Sequence, residues 1–277
     1  MTDDTLAGRE LDELEDLASE FARIGGAEIM ASLERIIHVA YKGEDPGVMD
    51  DPVSEVDRHV ETLVRARIAQ AHPDHHVIGE EFGARTDVEH PIVWAIDPVD
   101  GTANFVNGMP LFSASIGVLH HGVPVAGAVW CSTSHALRPG VFSARRGGRL
   151  SFDGRPVERL PNPAVRRRIV ALPRAGDTVA GFEGRTLGSA AIECAFVAAG
   201  LLAGARFRAP NVWDVAGGIP LVEAAGCAVE VRDDAGLWQP LDGFHPRGGL
   251  GNAALANWRK PVVLGAPDAV AALIRGD

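Results

Sequence analysis

Along this chain, stretches whose apolar residues recur every three or four positions alternate with short apolar runs. Leu11, Leu14, Leu17, Phe21 and Ile24 form a helical stripe within residues 10–40. Gly25 and Gly26 interrupt the stripe, as a kink or as a place where another segment packs close. The polar stretch Lys42 to Asp51 reads as a loop. Ser54 is then placed to cap a second helix carrying Val60, Leu63, Val64 and Ile68. Asp57 falls in its first turn, near the positive end of the helix dipole.

Strand-like runs follow. His76-Val77-Ile78 leads into Gly79-Glu80-Glu81, and Ile92 to Ile96 leads into Asp97. Ser113 to Leu119 and Val123 to Trp130 flank His121-Gly122, the signature of a hairpin turn. Val141 to Ala144, Ile169 to Leu172 and Ala228 to Val231 predict further strands. Ser189 to Ala199 and Trp213 to Ala225 predict helices, the second ended by Gly226, and a last helix spans Pro267 to Arg275. No linker or repeat divides the chain, and the elements lack a clean βαβ rhythm. The expected fold class is α+β, a layered sandwich.

Composition narrows the partners. With 277 residues, 46% of them hydrophobic, the chain can bury a large core. A net charge of −11 repels nucleic acid and anionic membranes, so neither is an expected partner. A small phosphorylated metabolite can still bind if metal cations reverse the local charge. Cys131, Cys194 and Cys227 are dispersed and read as free thiols of a reducing compartment. The acidic opening segment is unlike a targeting signal, and no apolar run spans a bilayer, so the expected location is cytoplasmic.

The most informative segment is Trp94-Ala95-Ile96-Asp97-Pro98-Val99-Asp100-Gly101-Thr102-Ala103-Asn104-Phe105. A strand ends in an acid, proline is expected to break it, and a second acid follows three residues on. Gly101 permits a tight turn, and Thr102 opens a helix whose N–H groups suit a phosphate. Two close carboxylates repel each other unless a cation lies between them, and hard oxygen donors suit Mg²⁺. Alone, the motif also reads as a plain turn. Glu80 after a strand, and Asp57 and Asp214 at helix starts, add acids in matching contexts.

From Val53 to Val231 the sequence resembles the inositol monophosphatase family of metal-dependent, lithium-sensitive phosphatases. Both family signatures are present, as Trp94 to Phe105 and as Trp213 to Gly226, with the weaker elements Val53 to Asp57, Ile78 to Glu81 and Gly188 to Ala191. The resemblance implies one α/β/α/β/α sandwich domain over residues 1–277, with halves of about 1–150 and 151–277, commonly dimeric. It implies Mg²⁺, two or three ions per active site, held by Glu80, Asp97, the Val99 carbonyl, Asp100 and Asp214. Gly101 and Thr102 would seat the phosphate. Thr102 and Asp57 would position the attacking water, and Gly188, Ser189 and Ala190 would line the substrate alcohol. Asp57, Glu80 and Thr102 are thus the implied catalytic residues, and Val99, Asp100 and Asp214 also border the substrate.

Departures from the family pattern bear on the substrate. Phe207 stands where inositol-specific members carry a glutamate, and an aromatic ring accepts no hydrogen bond from an inositol hydroxyl. Arg206 and Arg208 flank it and are candidates to face an anionic group. Lys42 corresponds loosely to a basic residue near the metals. Ala103-Asn104-Phe105 resembles the inositol phosphatase branch more than the bisphosphate nucleotidase or histidinol-phosphate branches. The expected activity is hydrolysis of a small phosphate monoester. Histidinol phosphate or a nucleotide bisphosphate on the same fold is the alternative, and an inactive metal-binding scaffold is the rival of a different class. Gly249 to Ala254 matches a dinucleotide fingerprint on paper but has no βαβ context.

Overall fold

The computed structural model describes residues 6–34, 38–41, 52–83, 90–158, 164–244 and 255–276. The predicted loop Lys42 to Asp51 and the segment Gly249 to Ala254 lie outside them. The helices are α1 (Gly8–Ser32), α2 (Glu55–Ala71), α3 (Thr102–Val106), α4 (Ala190–Ala198), α5 (Val212–Ala216), α6 (Ile219–Ala224) and α7 (Pro267–Arg275). The first strands are β1 (Val39–Tyr41), β2 (Pro52–Ser54), β3 (His76–Gly79), β4 (Ile92–Asp100), β5 (Ser113–His120), β6 (Val123–Cys131) and β7 (Gly140–Arg145). They continue as β8 (Ser151–Phe152), β9 (Arg155–Pro156), β10 (Ile169–Ala171), β11 (Glu183–Arg185), β12 (Gly204–Phe207), β13 (Ala228–Arg232), β14 (Trp238–Pro240) and β15 (Val262–Gly265).

Strands β3 to β9 form a seven-stranded sheet in sequence order, parallel only between β3 and β4. A six-stranded mixed sheet has the order β11-β10-β12-β15-β13-β14. Alternation along β4 shows why the layers stack. Trp94 and Ile96 point into a cluster with Phe21 and Ile29 of α1 and Val60 and Val64 of α2. Val93 and Ala95 point the other way, into a cluster with Val215, Ala216 and Ile219. That second cluster also takes Ala205 and Leu264 from the six-stranded sheet, whose far face packs Val170 and Val263 against Val270 and Leu273 of α7. The result is the expected α/β/α/β/α sandwich, with α4, α5 and α6 as its middle layer.

Glycines set the layer spacing. A Cβ on Gly26 would lie 2.2 Å from the Trp130 ring, so Gly25-Gly26 is a packing contact inside a continuous α1 rather than a kink. The predicted helix Trp213 to Ala225 is instead two short helices, α5 and α6. Pro220 has no N–H to donate back to Ala216, which ends α5. The backbone at the break then presses on the sheet: a Cβ on Gly127 would sit 2.3 Å from the Gly217 carbonyl oxygen, and one on Gly117 would sit 2.6 Å from Ala216. The His121-Gly122 hairpin has φ of 49° and 75°, as a two-residue turn with positive φ at both positions requires. All three cysteines are free. Among the described residues no helix is long and apolar enough to cross a membrane.

Gly127→Ala should therefore destabilise the protein by about 1–3 kcal/mol, the usual cost of overpacking against a partner that cannot move aside. Gly8→Ala, where a Cβ meets nothing within 4 Å, is the control. Urea unfolding midpoints measure both, and equal midpoints would show that the middle layer can shift to make room.

Candidate active site

The site forms where β4 runs out toward the N-terminal ends of α2, α4 and α5. Pro98 does not end the strand, contrary to the sequence expectation. Pairing with β5 is regular to Asp97 opposite Ser115, then slips, so that Asp100 lies opposite Ser113. Three steps on β4 match two on β5, and the proline sits inside this bulge, where a missing N–H breaks no ladder bond. The bulge has a chemical effect. Residues three apart on a regular strand face opposite sides. Here the extra residue brings Asp97 and Asp100 to the face that carries Ser113 and Ser115.

Asp100 is held by four donors. Its Oδ2 accepts from Ser113 Oγ at 3.0 Å, Ser189 Oγ at 2.5 Å and the Ala191 N–H at 2.7 Å, and its Oδ1 accepts from the Ala190 N–H at 3.1 Å. The donors come from β5 and the start of α4, where Ser189 is the N-cap. Gly101 follows with φ of 86°, and a Cβ there would crowd the Gly188 carbonyl at 3.1 Å and Ser189 Cβ at 3.1 Å. Gly188 has φ of 76°. Asn104 Nδ2 bonds the carbonyls of Leu111 and Leu187, each at 2.7 Å, which fastens α3 to the segment leading into α4. Gly101, Gly188, Ser189 and Ala190 thus meet around Asp100.

Asp57 completes the α2 capping box, accepting from the Ser54 N–H at 2.9 Å and Ser54 Oγ at 2.5 Å. Thr102 Oγ1 lies 3.0 Å from Asp57 Oδ1 and 2.8 Å from the Val99 carbonyl oxygen. Asp214 caps α5 in the same style, accepting from the Asn211 N–H at 2.7 Å.

Electrostatics join these groups into one centre. Burial pushes the Asp97 carboxyl well above the usual carboxylate range, and the charges of Glu80, Asp100, Asp214 and Asp57 push it further. Its Oδ1 is buried with no hydrogen-bond partner in the described structure. Asp214 is pushed up to about 7, first by burial and next by Asp100. Burial also raises Asp57 and Asp100, although their hydrogen bonds pull the other way. After burial, every main influence on Asp97 is another carboxylate. A buried oxygen without a partner and a set of hard, mutually repelling donors fit a divalent cation such as Mg²⁺. Yet among the described residues no group of three or more His, Cys, Asp or Glu side chains stands close enough together to hold a metal ion as it is. Asp100 and Asp214 face backbone N–H groups, and the Val99 carbonyl receives the Thr102 hydroxyl. A cation would use the lone pairs these bonds leave over.

The two arginines beside Phe207 both turn to Asp177. Arg206 is buried, bonding the Gly276 carbonyl at 2.9 Å and Asp177 at 3.4 Å, and Arg208 lies 3.2 Å from Asp177. Both guanidiniums share the single carboxylate of Asp177; Arg206 is buried against it, while Arg208 stays about half exposed. Phe207 is buried in the same apolar cluster as Val212 and Trp213, the residues leading into Asp214. Sequence reasoning missed Ser113 and Ser115, whose signal was two serines at period two in the strand opposite the acids. It also missed Glu193, a buried carboxyl pushed up to about 8 by burial and by the Asp100 charge, which takes the N–H groups of Leu187 and Gly188.

A profile of the inositol monophosphatase family matches residues 10–260, and the chain belongs to that family. It is similar to an inositol-1-monophosphatase of Synechocystis sp., 31% identical over 242 residues that cover 82% of this chain and 80% of the relative. It is also similar to the Nus factor SuhB of Xylella fastidiosa, 31% identical over 223 residues, 74% of this chain and 77% of the relative. The solved structure of an inositol monophosphatase from Anabaena (Nostoc) matches with a TM-score of 0.71 at 25% identity, covering 96% of this chain and 95% of that one. The family is one of metal-dependent phosphatases, so the chain is a phosphoric monoester hydrolase.

The raised Asp214 carboxyl gives a signed pH dependence. Between its ordinary value of 3.8 and about 7, the metal-free fold holds more protons on this group than the unfolded chain does. That contribution to stability is therefore complete below the ordinary value and is lost as pH rises toward about 7. With a chelator present, melting temperature should fall across this window more steeply for the wild type than for Asp214→Asn, whose amide does not titrate. Saturating Mg²⁺ should flatten the wild-type curve. Parallel curves for the two proteins would contradict the shift.

Proposed function

We propose that the protein is a cytoplasmic homodimer of single-domain subunits that hydrolyses a small phosphate monoester at the acid cluster around Asp97. The observation that carries this reading is the buried, unpartnered Asp97 Oδ1 beside Asp100 and the Gly101-Thr102 turn, with Glu80, Asp214 and Asp57 near enough for their charges to raise the Asp97 carboxyl further. Glu80, Asp97, the Val99 carbonyl, Asp100 and Asp214 would hold Mg²⁺. When bound, such ions supply the positive charge that offsets the carboxylates and the phosphate, and make water a better nucleophile. The first N–H groups of α3, at Gly101 and Thr102, receive phosphate oxygens.

Proton handling falls to Thr102 and Asp57. Thr102 Oγ1 has one proton and two acceptors in reach, Asp57 Oδ1 and the Val99 carbonyl. Its lone pairs accept a hydrogen bond from the attacking water. As that water loses a proton to Thr102, Thr102 passes its own to Asp57. Asp57 Oδ1, 3.0 Å from Thr102 Oγ1, is placed to receive it. Gly188, Ser189 and Ala190 border the leaving alcohol. Phe207, at the position where the family's inositol-binding members carry a glutamate, offers no acceptor to an inositol hydroxyl, which disfavours inositol among possible alcohols.

A panel of inositol 1-phosphate, glycerol and sugar phosphates, histidinol phosphate and a nucleotide bisphosphate, assayed with Mg²⁺ and with or without Li⁺, tests the assignment. The expected outcome is Mg²⁺-dependent turnover of a small monoester that is inhibited by Li⁺ and not led by inositol 1-phosphate. Asp97→Asn should lower kcat about a thousandfold, the equivalent of several kcal/mol of charge stabilisation. Wild-type turnover in that variant would overturn the site, and a ranking headed by inositol 1-phosphate would overturn the reading of Phe207.

A further inference from the structure

One buried ion pair lies outside the acid cluster but is built into the turn that carries Glu80. Glu61 is fully buried on α2. Its Oε2 accepts the Glu81 N–H at 2.7 Å, and its Oε1 accepts Arg65 Nε at 2.8 Å and the Phe82 N–H at 3.3 Å. Arg65 in turn donates from Nη2 to the Gly83 carbonyl at 2.6 Å and from Nη1 to the Val77 carbonyl at 3.5 Å. The carboxylate collects the turn's donors and the guanidinium collects its acceptors. Gly79 and Gly83 close the turn by exchanging backbone hydrogen bonds of 3.3 and 3.1 Å.

Two further observations show that this is a fitted clamp. Gly79 is required by Glu61 itself, because a Cβ there would lie 2.2 Å from Glu61 Oε1. Asp57, Glu61 and Arg65 also recur every four residues along α2, which places them in one row on a single face of the helix. The row begins in the acid cluster at Asp57 and ends under the turn that carries Glu80. A fully buried carboxylate is expensive to desolvate, and apolar residues in place of the whole pair would often cost no stability, so keeping the pair points to a positioning role.

We propose that Glu61 is a positioning residue, and Arg65 its counter-ion, that fix the 79–83 turn and so hold Glu80 in the geometry needed to bind a divalent cation. This rests on the reading of Glu80 as a metal ligand. The polar groups that orient a ligand commonly change metal affinity by about 10–100-fold when removed.

The test uses the full chain, with Mn²⁺ as a probe followed by electron paramagnetic resonance, and does not depend on turnover. Glu61→Gln keeps the shape but turns an amide donor toward backbone donors. It should weaken Mn²⁺ binding at least tenfold and speed amide exchange at Glu81 and Phe82. Its kcat should return toward wild type at high Mg²⁺, since the defect is one of affinity. Arg65→Lys keeps the charge but loses the fork, and should show the same signs more weakly. It also covers the case in which Glu61→Gln does not fold. If exchange at Glu81 and Phe82 quickens in either folded variant while Mn²⁺ affinity is unchanged, Glu61 only supports the fold and the proposal fails. Glu80→Gln separates the two readings. Wild-type Mn²⁺ affinity in that variant would remove Glu80 from the ligands and overturn the proposed site rather than the clamp.

Discussion

The carboxylate of Asp100 fastens the seven-stranded sheet to the middle layer of helices. Both of its oxygens are committed, to β5 through Ser113 and to the first turn of α4 through Ser189, Ala190 and Ala191. Charge-assisted bonds of this kind are among the stronger polar contacts available to a protein. They fix where α4 begins, and with it where Gly188 and Ser189 lie against Gly101. The β4 bulge is the other half of the same arrangement, because without its extra residue Asp97 and Asp100 would face opposite sides of the sheet.

Holding the acids together leaves an electrostatic debt. Asp57 and Asp214 each cap a helix while belonging to the charged centre, so the same oxygens serve the fold and the chemistry. Hydrogen bonds from Ser54 to Asp57, from Asn211 to Asp214 and from the start of α4 to Asp100 keep these acids in place without neutralising them. Asp97 differs, since one of its oxygens is buried without a partner and the nearest influences on it are all negative. A functional centre of this sort breaks the rules that the rest of the core obeys.

Much of this was legible in the sequence. The stripe of α1, the Ser54–Asp57 capping box, the hairpin at His121-Gly122 and the acid-rich end of β4 follow from local rules that need no tertiary context. Three features did not. The bulge at Pro98 depends on the neighbouring strand, and sequence alone shows only a residue unable to donate. The break between α5 and α6 follows from Pro220, but its seat on the sheet depends on Gly117 and Gly127, about ninety residues away in the chain. Arg206 and Arg208 looked available because the acid that answers them, Asp177, lies some thirty positions earlier. Pairing across such distances has no signature in a single sequence.

The glycine seam beneath α5 and α6 bears on how relatives of this enzyme can diverge. Where backbone rests directly on backbone, no rotamer can adjust to absorb a larger neighbour. A paralogue that gained even one methyl group at Gly117 or Gly127 would have to displace the whole α5–α6 pair, and Asp214 with it. New substrate preferences are therefore expected to arise in segments away from this seam, while the seam itself drifts slowly.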